Sequence, residues 1–285
     1  MSAIILKGKE IAAEVEAEAA ARVEKLKKSG VNPGLAVVLV GNNPASEVYV
    51  SNKAKACERV GIRSETVRLP ENTDQKTLNK LLDDLSASAE YHGILLQLPL
   101  PGGLDSDMAT GHIVPEKDVD CFHPINVGLM TLGGSGLMPC TPAGVIRMLK
   151  KTGIQLSGKH AVVLGRSHLV GLPLSQLLLR ENCTVTVCHS RTQNMTEIAR
   201  QADILVSAVG KPKLVTGDMV KPGAVVIDVG VNRVDGKICG DVDFDSVEPV
   251  AGWLTPVPGG VGKMTVSMLL LNTLYAAEHI SHEAC

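Results

Sequence analysis

Apolar residues in this chain come in short unbroken runs rather than in strict alternation. The segments at 35–40, 93–98, 160–165, 184–189, 204–209 and 224–230 are each six or seven residues long, mostly apolar apart from the Thr-containing 184–189, and most close on Gly or a polar turn. Runs of this length without alternation predict strands buried on both faces. Between several of them apolar residues recur every three or four positions, as on one face of a helix. The first such segment, 10–28, is Ala/Glu/Lys-rich and is closed by Gly30. The loop 42–46 leads into a helix through Val60 with Ser46 as its N-cap, and Gly61 closes it. A short strand over 65–69 and a helix over 73–86 follow.

Strands alternating with helices predict a parallel sheet. From Pro99 to Pro142 the chain is rich in Gly and Pro and has little periodicity, which reads as connector and cleft wall. A second alternating series runs from 160 to 230. Short strands are expected at 237–242 and 254–257, and an apolar helix at 264–279. The expected fold is α/β: two units with parallel sheets, the second of Rossmann type, with a cleft between them. Residues 1–122 plus a C-terminal helix 265–285 form the first unit, and 123–264 the second.

The run at 161–164 enters Gly165-Arg-Ser-His-Leu-Val-Gly171 and then a helical segment. A buried strand that turns through glycines into a helix N-terminus can hold a nucleotide phosphate on backbone N–H groups. The second position of the usual G-x-G-x-x-G is Ser167 here, and a later glycine is displaced to Gly171. On pattern alone the segment stands between a dinucleotide turn and an ordinary strand–turn–helix. No acidic residue occurs between 184 and 196, where an NAD site places one on the ribose hydroxyls. The strand ends instead in His189-Ser-Arg-Thr192. Hydroxyls and a cation suit a 2′-phosphate, so the cofactor expected is NADP; Arg191 as a plain surface residue is the alternative.

Net charge is −2 and only six residues are aromatic, which excludes a basic or stacking surface for nucleic acid. Seven scattered cysteines without C-x-x-C suit reduced thiols in a cytoplasmic protein. No apolar run reaches the ~20 residues of a membrane span, and without H-E-x-x-H no catalytic metal is expected.

Tyr49 and Lys53 are four apart on a predicted helix and share a face. A buried lysine can handle protons and a tyrosine can stack on a flat ring; solvated and core roles are the alternatives. Lys55 faces elsewhere. Gln97, at the end of an apolar strand, needs partners if buried. Asp118 and Asp120 offer acceptors for a donor-rich ring or caps for a loop. Gly-Gly-Val-Gly-Lys263 is not a P-loop, because Met264 brings no hydroxyl to Mg²⁺.

Together these segments resemble the bifunctional methylenetetrahydrofolate dehydrogenase/cyclohydrolases. The stretches that carry the likeness are Tyr49-Val-Ser-Asn-Lys53, Gly93-Ile-Leu-Leu-Gln-Leu-Pro99, Lys117-Asp-Val-Asp120, Pro139-Cys-Thr-Pro-Ala-Gly144, Gly165-Arg-Ser167, Ile227-Asp-Val-Gly230 and Thr255-Pro-Val-Pro-Gly-Gly-Val-Gly262. They cover nearly the whole chain in order. The resemblance implies NADP-dependent oxidation of 5,10-methylenetetrahydrofolate, then hydrolysis to 10-formyltetrahydrofolate, with tetrahydrofolate derivatives as substrates and a homodimer as the assembly. It makes Lys53 the central catalytic group, tuned by Gln97, with Tyr49 orienting the folate. Asp120 would hold the pterin, and Pro258 and Gly259 would border the substrate. Gly165, Arg166, Ser167, Ser190, Arg191, Gly259 and Gly260 would serve NADP. Cys121 stands where the family usually has Gly, and Lys263 where it usually has Pro. A monofunctional dehydrogenase or a shikimate-type small-acid dehydrogenase remains the alternative.

Overall fold

A computed structural model describes residues 2–283. Strands in chain order are β1 (Ile4–Ile5), β2 (Gly34–Val40), β3 (Arg63–Leu69), β4 (Gly93–Leu96), β5 (His160–Leu164), β6 (Thr184–Cys188), β7 (Ile204–Ser207), β8 (Val225–Asp228), β9 (Asn232–Val234), β10 (Lys237–Cys239) and β11 (Trp253–Leu254). The chain divides into two compact units, one of Glu14–Cys140 with the residues from Val266 onward, the other of the N-terminal segment through Ala13 with Thr141–Thr265.

The first unit carries a three-stranded parallel sheet in the order β3-β2-β4. All seven residues of β2 are buried, as its unbroken apolar run requires of a central strand. Leu78, Leu82 and Leu85 of the helix Gln75–Ala87 share a core with Ala36, Val38, Val40, Ile94 and Leu96. The helix Pro44–Val60 begins three residues earlier, relative to the expected cap, than the sequence suggests. Asn43, not Ser46, caps it, its side chain accepting from the Ala45 and Ser46 N–H groups. Pro44 sits in the first turn, where its missing N–H costs nothing. The stretch 99–142 is more ordered than its composition suggests. It holds the helices Ser106–Thr110 and Pro124–Thr131 and the start of Cys140–Lys151.

The second unit has a six-stranded sheet in the order β1-β11-β8-β7-β5-β6, parallel throughout. It is doubly wound and Rossmann-like. Its chain reverses direction of winding at β5, whose neighbours are β6 and β7. β9 and β10 form a separate antiparallel hairpin.

The unit boundaries differ from the sequence expectation at both ends. Ile4 and Ile5 pair with Trp253 and Leu254, so the N-terminus completes the second sheet rather than the first. A two-residue strand leaves no periodicity to read. Residues 123–140 stay with the first unit, where Asn126 Nδ2 donates to Pro115 O and Asp118 Oδ2, at 2.8 and 3.0 Å. Met1 and residues 284–285, Cys285 among them, lie outside the described residues. No helix among the described residues is long and apolar enough to cross a membrane.

Candidate active site

In a parallel sheet, ligands bind outside the carboxyl ends of strands where the winding reverses. In the first unit that point lies between β2 and β4. Gln97 follows β4 there and extends the ladder, its N–H donating to Val38 O at 2.9 Å. Lys53 lies on the helix that follows β2 and is 7% exposed, although it is a lysine. Its Nζ donates to Gln97 Oε1 at 3.0 Å, and Gln97 Nε2 donates to Leu98 O at 2.6 Å. The second bond fixes the amide: with Nε2 on the carbonyl, Oε1 must face the ammonium. Lys53 keeps two further N–H donors. Tyr49, one turn earlier on the same face, is 41% exposed and open to a ligand. Lys55 is exposed, as its position predicts.

The segment after Lys117 runs beside β4, with Asp118 opposite Ile94. The two aspartates then take different roles. Asp118 is buried and spent on the loop, accepting from the His123 N–H at 2.8 Å and from Asn126. Asp120 takes no part in those loop contacts and lies near Lys53 and Cys140. Burial raises its pKa, opposed by the nearby Lys53 charge and a hydrogen bond from Cys140. Burial also pushes the Cys140 thiol well above its ordinary value, with the Asp120 charge adding to the effect.

Sequence reasoning missed two supports of this cluster, Cys140 and Asn272. Asn272 Nδ2 donates to Val119 O at 2.8 Å and Met138 O at 2.7 Å, tying the Asp120 segment to the one that ends in Cys140. An asparagine inside an otherwise apolar helix was the available signal. A cavity of about 290 Å³ lies at the carboxyl ends of the same strands, lined by Val40, Asn42, Glu71 and Pro99 among others. Neither Lys53 nor Gln97 lines it, so the site rests on the side-chain cluster.

In the second unit β5 runs into Gly165, at φ +113°. A Cβ there would meet Ala208 O at 2.3 Å, and one at Gly171 would meet Gly165 O at 2.2 Å. The two glycines let the turn, the helix Gly171–Arg180 and the loop after β7 close on one another. Gly171 therefore supplies the tight helix–strand contact that the displaced motif left open. Ser167 Oγ accepts from the Val170 and Gly171 N–H groups at 3.2 and 3.4 Å and keeps its own proton to donate. Arg166, Ser190 and Arg191 are exposed at the carboxyl ends of β5 and β6. Glycines against backbone, free hydroxyls and two guanidinium groups fit a phosphorylated dinucleotide. Gly171→Ala is expected to destabilise the protein by ~1–3 kcal/mol through overpacking, seen as a lower thermal midpoint.

Gly259 has φ +109°, and a Cβ at Gly260 would meet Pro256 O at 2.5 Å. The Gly8 N–H donates to Gly259 O at 2.9 Å, so this glycine turn is held by the start of the helix Gly8–Lys28.

Two family models match the chain. Tetrahydrofolate dehydrogenase/cyclohydrolase, catalytic domain, covers residues 6–120, and the NAD(P)-binding domain of the same enzymes covers 139–281. The chain belongs to the tetrahydrofolate dehydrogenase/cyclohydrolase family. It is 55% identical over 278 residues to the bifunctional protein FolD of Halalkalibacterium halodurans, covering 98% of this chain and 100% of that one. The bifunctional methylenetetrahydrofolate dehydrogenase/cyclohydrolase FolD of Campylobacter jejuni superposes with a TM-score of 0.96 at 47% identity, over 98% and 100% of the two chains. The Trypanosoma brucei enzyme, solved with NADP cofactor and inhibitor, gives 0.94 at 40% identity, over 99% of each.

The structure gives the backbone setting of Cys121 and Lys263. Cys121 has φ +61°, a conformation that glycine takes freely and a side chain resists. Its thiol is buried and donates to Leu137 O at 3.2 Å. Lys263 lies in the first turn of the helix Val261–Glu283, where proline is also tolerated.

Proposed function

We propose that this protein oxidises 5,10-methylenetetrahydrofolate with NADP⁺ and then hydrolyses the 5,10-methenyl product to 10-formyltetrahydrofolate. The observation that carries this reading is the buried Lys53–Gln97 hydrogen bond of 3.0 Å beside Asp120, in a chain 55% identical to a bifunctional relative along that relative's full length.

NADP⁺, when bound, accepts the hydride that leaves the methylene carbon. The protein's part in that step is positioning, because the cation formed is already stabilised by two folate nitrogens. Tyr49 stacks on the folate, Asp120 accepts hydrogen bonds from the amino-pyrimidine edge, and Pro258 and Gly259 border the substrate. Hydrolysis requires proton handling. Lys53, held by Gln97, turns its free N–H donors to the water and the ring nitrogen between which a proton must move. Gly165, Arg166, Ser167, Gly259 and Gly260 hold NADP, and Ser190 and Arg191 take the 2′-phosphate. The same reading makes the protein a cytoplasmic homodimer in one-carbon metabolism; the described cysteines are all free thiols, five of them buried, which suits a reducing compartment.

Two outcomes follow. Supplied 5,10-methenyltetrahydrofolate is hydrolysed faster than spontaneously without cofactor; the spontaneous rate alone would reduce the protein to a monofunctional dehydrogenase. Arg191→Ala is expected to raise KM for NADP⁺ about tenfold and leave KM for NAD⁺ unchanged, since only NADP⁺ carries the phosphate. Equal effects on both would remove Arg191 from the phosphate site.

A further inference from the structure

The second unit buries two aspartates that the reaction does not use. Asp228, at the carboxyl end of β8, is 3% exposed, and Asp241, after β10, is fully buried. Both carboxylates accept several hydrogen bonds, three at Asp228 and five at Asp241. Asp228 Oδ1 accepts from the Gly230 N–H at 2.9 Å and the Asp241 N–H at 3.0 Å, and its Oδ2 from the Val242 N–H at 2.9 Å. It thereby fixes the backbone from which the Asp241 side chain projects.

That side chain reaches the loop after β7. Asp241 Oδ2 accepts from the Val209 N–H at 2.8 Å, the Gly210 N–H at 3.1 Å and Ser207 Oγ at 3.2 Å. Its Oδ1 accepts from the Lys211 N–H and Asn232 Nδ2, both at 2.9 Å. The surroundings are built around these carboxylates. A Cβ at Gly230 would meet Asp241 Oδ1 at 2.1 Å, and one at Gly240 would meet Asp228 Oδ2 at 1.8 Å.

The loop so held has a defined place. The sheet reverses its winding between β5 and β7, so the crevice there has two lips: the turn after β5 and residues 208–211 after β7. The lips touch, since the Ala208 N–H donates to Leu164 O at 2.8 Å and Gly165 has room for no Cβ against Ala208 O. Three successive amides gathered on one carboxylate cannot turn towards a ligand. What the ligand meets is the outer face of a loop whose shape Asp241 dictates.

We infer that Asp241 is a positioning residue for the dinucleotide, acting through the 208–211 lip without touching it; this rests on the reading of the second unit as the NADP site. In Asp241→Asn the amide keeps one acceptor oxygen, but its NH₂ faces main-chain donors and the lip must move. The expected result is an NADP⁺ Kd, by calorimetry, about tenfold or more above wild type, or ~1.4 kcal/mol. The KM for NADP⁺ rises in parallel while kcat and the Kd for a folate analogue stay within about twofold. A folded D241N protein with a lower thermal midpoint and a wild-type NADP⁺ Kd would overturn the inference, because a purely structural carboxylate behaves that way. A measurement on the wild type stands independently of how the variant folds. The amide resonances of Val209, Gly210 and Lys211 are expected to shift on saturation with NADP⁺, and resonances that stay in place overturn the inference. A wild type that fails to bind NADP⁺ at all overturns the cofactor reading and this inference together.

Discussion

Lys53→Met is expected to slow hydrolysis of 5,10-methenyltetrahydrofolate by at least about 10²-fold, the usual contribution of a positioned proton-transfer group. Methionine fills much of the same buried volume and removes all three N–H donors, so the chemistry changes more than the packing. Gln97 Oε1 then loses the donor it has at 3.0 Å, and leaving a buried acceptor unpaired lowers stability by ~1–3 kcal/mol. The dehydrogenase rate is expected to fall less, because hydride departure requires geometry rather than a proton. Stopped-flow absorbance on supplied methenyltetrahydrofolate separates the steps. Hydrolysis at the wild-type rate would remove Lys53 from the mechanism.

Asp120→Ala is expected to raise KM for the folate substrate by about 10–100-fold in both reactions, the scale for losing a hydrogen bond to a charged, partly buried acceptor. The two activities should fall together, since both use the same bound pterin. Loss of only one would show that Asp120 serves a single step. Only the ionised carboxylate offers both oxygens as acceptors to the donor-rich amino-pyrimidine edge. Burial raises its pKa, so folate affinity weakens on acidification beginning at a higher pH than an ordinary aspartate would give. Above that range Asp120 is charged and affinity is level. In D120A this acid limb disappears, which a pH series of folate-analogue titrations detects.

The apolar runs of β2, β4, β5, β7 and β8 gave away most of both parallel sheets, because strands buried on two faces have no polar side to interrupt them; β3 and β6, at sheet edges, carry polar residues and are only partly buried. Spacing brought Lys53 and Tyr49 to notice, and Gln97 stood out as an amide in an apolar strand, but it was the family resemblance that gave them roles; the structure brings Lys53 and Gln97 into contact. What stayed hidden has a physical reason in each case. Ile4–Ile5 joins the far edge of a sheet whose other strands lie more than 150 residues away, a pairing that no local pattern encodes. The helices of 106–131 are short and start at aspartate and histidine caps and a proline, so composition suggested a loop. The displaced Gly171 looked like a defect in a glycine motif until its contact with Gly165 O showed why glycine is required there. Asp118 and Asp120 look equivalent in sequence. Only the loop that folds back through His123 and Asn126 occupies the first, while the second lies beside Lys53 and Cys140.

Absorbance-monitored turnover of 5,10-methylenetetrahydrofolate tests the whole account most directly. With NADP⁺ the protein should form NADPH, and the methenyl species should then decay to 10-formyltetrahydrofolate without added catalyst. NAD⁺ should be used much less efficiently. Absence of reduced cofactor with either nucleotide would contradict the account.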